Sequence, residues 1–332
     1  MSPRIMASMY GLGIDTALAE EMNAGLQRVE AGLREAVRSD YPFVTEASRH
    51  LVDAGGKRFR PLLVLLASQY GKPSSVGVVP AAIVVELTHL ATLYHDDVMD
   101  EADLRRGASS ANARWDNTIA ILTGDFLFAR ASDILADLGP DAVRIQAQTF
   151  ERLCTGQIRE TVGVAAGDDP IAHHLQVLAD KTGSLIATSC RFGAMMSGAD
   201  ALTISTLTRF GEHIGVAFQL ADDLVDITSE SAQSGKTPGT DLREGIPTLA
   251  GLMAIQADDD PWLAEALGRP LSDDGEHARA LDQLRSHPAL AQAQAEARRW
   301  AASARDCLDD LPDGPTTDAL RSLCDYVVNR SG

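Results

Sequence analysis

Six carboxylates stand in two copies of one spacing. Asp96-Asp97-Val98-Met99-Asp100 closes a run that begins at Glu86, and Asp222-Asp223-Leu224-Val225-Asp226 repeats it far downstream. The outer pair of each copy is four residues apart, so on an α-helix both carboxylates share one side, their Cβ atoms about 5–6 Å apart. Like charges at that spacing destabilise a helix by a few tenths of a kcal/mol. Both copies sit in apolar sequence that calls for burial, and buried carboxylates are paired or bind metal. The pattern therefore reads as a shared divalent metal site. Hard oxygen donors favour Mg²⁺, which takes one or two carboxylates, keeps water and completes its shell with phosphate. No Cys/His cluster offers a zinc alternative. The expected ligand is a diphosphate, and His89, seven residues before Asp96, falls on the same helix face.

Cations interleave with these acids. Gly55-Gly56-Lys57-Arg58-Phe59-Arg60-Pro61 puts three of them beside glycines and a helix start. Such turns aim backbone N–H groups at anions, and arginine adds bidentate phosphate recognition. Arg105-Arg106-Gly107 forms a second knot, and Lys181-Thr182 and Lys236 form a third set. Two diphosphates are implied. One is held through metal by the carboxylates, the other directly by Lys57, Arg60 and Arg106.

Helical periodicity dominates the chain, and no alternating β-branched runs form a credible sheet. An amphipathic helix is expected over 14–37, then helices over 59–70, through the first acidic motif, 117–138, 141–164, 171–183, 185–197 and from 203 through the second motif to about 228. The segment 104–112 reads as loop, 229–245 as a polar flap, and the remainder as shorter helices. With 332 residues and 45% hydrophobic content, the chain can bury a large core. The expected architecture is all-α: a single large helical bundle, one domain over 1–332, around a central cavity. A formal net charge of -18 argues against nucleic acid or an anionic membrane surface as partner. The four cysteines are scattered and read as reduced thiols. The apolar run 76–85, with Pro80 inside it and Glu86 after it, is too short to span a bilayer, so a cytoplasmic protein without stable membrane insertion is expected. His173, His174 and His213 read as surface or structural residues, and His95 as a hydrogen-bonding neighbour of the metal site.

Taken together, the Gly-Gly-Lys-Arg-x-Arg-Pro turn at 55–61, the helix Glu86 to Asp100 with Arg105-Arg106-Gly107, Gly124-Asp125-Phe126-Leu127, Lys181-Thr182, Gln219 to Asp223 and Gly239-Thr240-Asp241-Leu242 resemble the trans-isoprenyl (polyprenyl) diphosphate synthases. The resemblance implies an all-α prenyltransferase fold, a homodimer and head-to-tail condensation of isopentenyl diphosphate with an allylic diphosphate. It implies about three Mg²⁺ ions in each active site, with Asp96, Asp97, Asp100, Asp222, Asp223 and Asp226 as ligands. Arg105, Lys181 and Lys236 would hold the allylic diphosphate. Lys57, Arg60, His89 and Arg106 would hold isopentenyl diphosphate, and Thr182 and Gln219 would line the path of the developing cation. Three positions depart from the pattern: Ile246 stands where a lysine is common, Gly156 to Glu160 reverses the order of Glu and Gln, and Trp115 replaces a phenylalanine.

Product length should depend on what lies beneath the first acidic motif. Ala91 and Thr92 sit about 6–7.5 Å deeper along the helix than Asp96 and are small, which predicts a long product of about C30 to C50 for a quinone side chain. Phe126, Phe128 or Met195 would form a deeper floor. The alternatives are a short-chain farnesyl or geranylgeranyl diphosphate synthase, a class I terpene cyclase, and a non-catalytic partner subunit of a heteromeric synthase. The second Asp-Asp-x-x-Asp copy and the turn at 55–61 favour elongation.

Overall fold

A computed structural model of the chain describes residues 15–229 and 238–329. The described residues are helical except for turns and one two-residue antiparallel pair, in which Leu104 faces Ser109 and Arg105 faces Ala108. The chain divides into two compact units.

Among the described residues, the first unit comprises 15–149 and 188–208. Its helices are α1 (Thr16–Ala36), α2 (Pro42–Asp53), α3 (Phe59–Ala67), α4 (Val78–Met99), α5 (Ala111–Trp115) and α6 (Asn117–Leu138), with the first half of α7 (Pro140–Val162). The hairpin β1 (Leu104–Arg105) and β2 (Ala108–Ser109) lies between α4 and α5. α4 is the core: of its 22 residues, Val78, Ala81 to Thr88, Leu90, Ala91, Tyr94 and Asp97 are buried. By length and composition it would cross a membrane, yet 67% of its most apolar window is buried in protein. The run at 76–85 thus continues straight through Glu86, because Arg58 meets that charge; Pro80 falls in the first turn, where its missing N–H costs nothing. Tyr94 is fully buried, its hydroxyl donating to Ala47 O at 2.6 Å.

The second unit holds the rest of α7, α8 (Pro170–Leu178), the π-helical turn Ala179–Gly183, the start of α9 (Ser184–Ser197) and most of α10 (Ala201–Thr228). It continues with α11 (Thr240–Glu244), α12 (Leu249–Ala257), α13 (Pro261–Leu267), α14 (Asp274–Ser286), α15 (Pro288–Cys307) and α16 (Pro315–Asn329). Its core gathers Leu178, Val216, Leu220, Ile227, Leu249, Leu284, Ala293 and Ala297.

Three local expectations need correction. α2 lies where only a loop was anticipated; Pro42 at its first turn and Ala47, Leu51 and Val52 on its buried side account for it. The stretch 104–109 is a hairpin, since Arg106 and Gly107 both take positive φ, 55° and 77°, as a two-residue turn of this hand requires. Gly183 does not end a helix. The chain runs from α8 through the π turn into α9, and the wide turn absorbs one extra residue.

Candidate active site

In the first unit Glu86 organises the cations. It is a carboxylate inside an apolar helix, 2% exposed, so it needs charged partners. Arg58 Nη1 donates to Glu86 Oε1 at 2.7 Å, Arg58 Nε to Glu30 Oε1 at 2.5 Å and Arg58 Nη2 to Val52 O at 2.9 Å. Burial alone would lower the Arg58 pKa, but Glu86 and Glu30 outweigh it and raise it. Arg58 therefore faces inward and braces the turn. The positive φ values of Gly55 and Gly56 bend the chain here, and a Cβ at Gly56 would lie 2.9 Å from the Arg106 guanidinium carbon. Arg106 Nη1 donates to Leu51 O at 3.2 Å and also to Gly55 O, while Arg106 Nη2 lies 4.0 Å from Glu86 Oε1.

Arg58 shares these two acids with Arg60 and Arg106, three arginines against two carboxylates. The Arg60 pKa is lowered to about 10 by burial and Arg106, against the pull of Glu86, and Arg60 Nε is buried without a hydrogen bond among the described residues. Burial, with Arg58 and Arg105, lowers that of Arg106 against Glu86. His89 is pushed well below the usual imidazole range by burial, then by Arg60, Arg106, Arg58 and Arg105. Arginines buried side by side, and an imidazole kept neutral among them, suit a site that takes an anion.

The first acidic motif ends α4 beside this group. Asp97 is fully buried, and Arg105 Nε donates to its Oδ1 at 2.5 Å while Arg105 Nη2 lies 3.7 Å from Asp100 Oδ2. The β1–β2 turn is what brings Arg105 and Arg106 back onto α4. Burial raises the Asp97 pKa against the Arg105 bond, with Asp100 adding to the rise. Asp96 is half-buried and Asp100 exposed. His95 behaves as the sequence suggested: Nε2 is 3.1 Å from Ile121 O and 3.5 Å from Asp125 Oδ1. Ala91 is fully buried, whereas Thr92 is half-buried with its hydroxyl donating to His89 O at 2.8 Å.

In the second unit the π turn carries Lys181 and Thr182. Lys181 Nζ pairs with Glu160 Oε2, the last residue of the Gly156 to Glu160 segment, and Gly156 makes room, since a Cβ there would lie 2.7 Å from Lys181 N. Thr182 Oγ1 donates to Gln219 Oε1 at 3.2 Å, and Gln219 Nε2 donates to Asp223 Oδ1 at 3.0 Å. Asp223 is pushed well above the usual carboxylate range by burial, against the Gln219 bond and reinforced by Asp241, Asp222 and Asp226. Asp226 accepts from the backbone N–H groups of Thr240 at 3.2 Å and Asp241 at 3.1 Å, and so fixes the start of α11. Asp222 is exposed.

One neighbour escaped the sequence reading. His174 is 8% exposed, its pKa lowered to about 4 by burial and then by His173, and its Nε2 lies 4.0 Å from Asp223 Oδ2. Nothing in a His-His pair on an amphipathic helix separates it from a surface residue. Lys236 lies outside the described residues.

The structure thus brings Arg60, His89, Arg105 and Arg106 together with Asp97 and Asp100, and Lys181, Thr182 and Gln219 together with Asp223. A divalent cation suits both acidic groups, because Asp97 and Asp223 hold negative charge that burial and neighbouring carboxylates disfavour. Among the described residues no three His, Cys, Asp or Glu side chains converge on one point. A cation here would take one or two carboxylates and complete its shell with phosphate oxygens and water.

An all-α chain with acidic helix ends, each beside its own cations, is built to handle diphosphates. The chain belongs to the polyprenyl synthetase family, whose model matches residues 41–284. It is 47% identical over 334 residues to the nonaprenyl diphosphate synthase of Mycobacterium tuberculosis, covering 100% of this chain and 99% of that protein. It is 38% identical to heptaprenyl diphosphate synthase component 2 of Geobacillus stearothermophilus, covering 95% and 98%. Among solved structures, the geranylgeranyl pyrophosphate synthase of Corynebacterium glutamicum, complexed with calcium and isoprenyl diphosphate, superposes with a TM-score of 0.86 at 46% identity, covering 97% of this chain and 99% of that one.

Proposed function

We propose that this chain elongates an allylic diphosphate with isopentenyl diphosphate and releases a long polyprenyl diphosphate of about C30 to C50, the small residues below the first acidic motif leaving depth for it. The observation that carries the reading is the buried group of Arg58, Arg60 and Arg106 around a neutral His89, packed beside an acidic motif whose buried Asp97 calls for a cation. An isopentenyl site is what elongation needs and what cyclisation of a single substrate does not. The 47% identity to a nonaprenyl synthase supports the long product; the 46% identity to a geranylgeranyl synthase supports the shorter alternative.

In this mechanism Lys57, Arg60, His89 and Arg106 hold the isopentenyl diphosphate. Asp96, Asp97 and Asp100 form one acidic group and Asp222, Asp223 and Asp226 the other, each a candidate for holding a divalent cation, with Arg105 and Asp97 setting the turn of the first motif. Mg²⁺, about three ions per site, would offset charge developing on the leaving diphosphate. Arg105, Lys181 and Lys236 add positive charge to the same group. The allylic C–O bond breaks with its electron pair leaving on diphosphate, the isopentenyl double bond attacks the resulting carbocation to form the C–C bond, and a proton leaves to form the new double bond. The departed diphosphate is the base. Thr182 and Gln219, locked to each other and to Asp223, present fixed oxygen dipoles to the cation. We place the enzyme in the cytoplasm as a homodimer of single-domain subunits; Ile121 and Leu122, 43% and 57% exposed on α6, provide an apolar face for the second copy.

The deciding experiment incubates the purified chain with Mg²⁺, farnesyl diphosphate and labelled isopentenyl diphosphate and sizes the products. Long polyprenols are expected after dephosphorylation. Termination at geranylgeranyl would select the short-chain reading, product without isopentenyl diphosphate the cyclase, and turnover only with an added second polypeptide the heteromeric one.

A further inference from the structure

His174 is the buried polar group for which the mechanism above has no use. It projects from α8 seven residues before Lys181, on the helical run that then widens into the π turn. Its side chain is 10% exposed, yet Nε2 is buried and makes no hydrogen bond among the described residues. That is an uncommon state, since buried polar atoms are normally paired. The atom it approaches is Asp223 Oδ2, at 4.0 Å, about 1 Å beyond hydrogen-bond distance. The other oxygen of the same carboxylate, Oδ1, is held by Gln219 Nε2 at 3.0 Å, and Gln219 Oε1 accepts from Thr182 Oγ1 at 3.2 Å. The ring also borders a groove of about 440 Å³, counted with its open mouth, whose walls include Glu160, Pro170, Val177, Pro247 and Leu252. His174 is among the residues lining that groove, so packing around it is incomplete.

We propose that His174 is a positioning residue for the second acidic motif, donating from Nε2 to Asp223 Oδ2 when a divalent cation binds beside Asp222. The bond closes a relay from Thr182 through Gln219 and Asp223 to His174. Both ends of the relay lie on one helical run, so cation binding at α10 and the placement of Lys181 and Thr182 on the π turn become a single event. Groups that orient a metal-binding carboxylate from behind typically change metal affinity by about 10–100-fold when removed. The inference rests on the reading of Asp222 to Asp226 as a metal site.

The test uses the full chain, Mn²⁺ as a paramagnetic probe and inorganic pyrophosphate, with bound Mn²⁺ counted by electron paramagnetic resonance. His174→Leu, which cannot donate, should bind Mn²⁺ at least about tenfold more weakly than wild type. His174→Gln, which keeps an N–H donor at similar reach, should restore affinity to within about threefold. Melting temperatures without metal show whether either substitution acts through the fold. A role in packing alone predicts that leucine is tolerated, or that both variants lose affinity together, and either result would overturn the proposal. Asp222→Ala separates the two levels. If it weakens Mn²⁺ binding while His174→Leu does not, the inference about His174 is wrong and the metal site stands; if Asp222→Ala binds as wild type, the metal site itself is misplaced and the inference falls with it.

Discussion

Gly124 of α6 touches the ring of His95 on α4: a Cβ built on Gly124 would lie 2.3 Å from His95 Nε2 and 3.1 Å from the Ala91 carbonyl oxygen. The close crossing lets His95 reach Ile121 O and pack against Phe128 with ring centroids 5.8 Å apart. His95 immediately precedes the first acidic motif, so the glycine sets where that motif ends up. Two effects oppose each other in Gly124→Ala. Alanine is the better helix former by about 1 kcal/mol. Overpacking costs about 1–3 kcal/mol, and here the clashing ring is tied on two sides. The clash should win, giving a net loss of up to about 2 kcal/mol in urea unfolding and a lower Mg²⁺-dependent rate.

Arg58 offers a larger effect. Its guanidinium is fully buried between Glu86 and Glu30, and removing one member of a buried ion group leaves the others charged without compensation. Arg58→Met should cost about 3–5 kcal/mol in urea unfolding. The double variant Arg58→Met/Glu86→Gln should recover most of that loss. If the two losses simply add, Glu86 is not the partner that matters.

What could be read from the chain follows from which interactions are local. The i, i+4 acidic pairs, the boundaries of α6 at Asn117–Leu138 and the caps around Pro140 and Pro170 are matters of neighbouring residues, and the structure agrees with them. Arg58 was harder. The sequence assigned diphosphate to Lys57 and Arg60 and left Arg58, between them, without a role, which its pairing with Glu86, 28 residues away, supplies. A signal was present, because a lone glutamate inside a long apolar helix must find a cation. The π turn had none: Gly183 looks like a helix end, and the turn stays regular because Gly183 and Gly215 come close, a Cβ on Gly215 lying 2.7 Å from Gly183 Cα. For the acidic motifs the spacing indicated a metal site, but it could not tell that Asp97 is buried under Arg105 while Asp100 is exposed.

His89 predicts a pH dependence of stability. Its folded pKa is depressed, by burial first and then by Arg60, Arg106, Arg58 and Arg105, so below about pH 6.5 the unfolded chain binds a proton that the folded chain refuses. Stability must therefore fall as the pH drops from about 6.5, by at most about 1.4 kcal/mol per pH unit from this residue. Above that pH both states are neutral and the contribution is flat. His89→Asn cannot titrate. Between about pH 6.5 and 4.5 its urea midpoint should decline less steeply than wild type, all other groups being shared; parallel curves would show that His89 is protonated in the fold.

The two small residues under the first acidic motif make different probes of product length. Ala91 is 0% exposed, and its carbonyl lies against Gly124 where α4 and α6 cross. A phenylalanine there must push two helices apart, so Ala91→Phe should first cost stability, about 1–3 kcal/mol or more, and any shortening of product would be confounded by a displaced motif. Thr92 is half-buried, and its hydroxyl bonds only back along its own helix, to His89 O. Its side chain can grow without parting a helix pair. Thr92→Phe should therefore keep the urea midpoint of wild type while moving products to shorter prenols, read by chromatography of the dephosphorylated mixture. Unchanged product length with intact stability would place the floor of the channel deeper than Thr92, where Phe126 or Phe128 becomes the next residue to truncate.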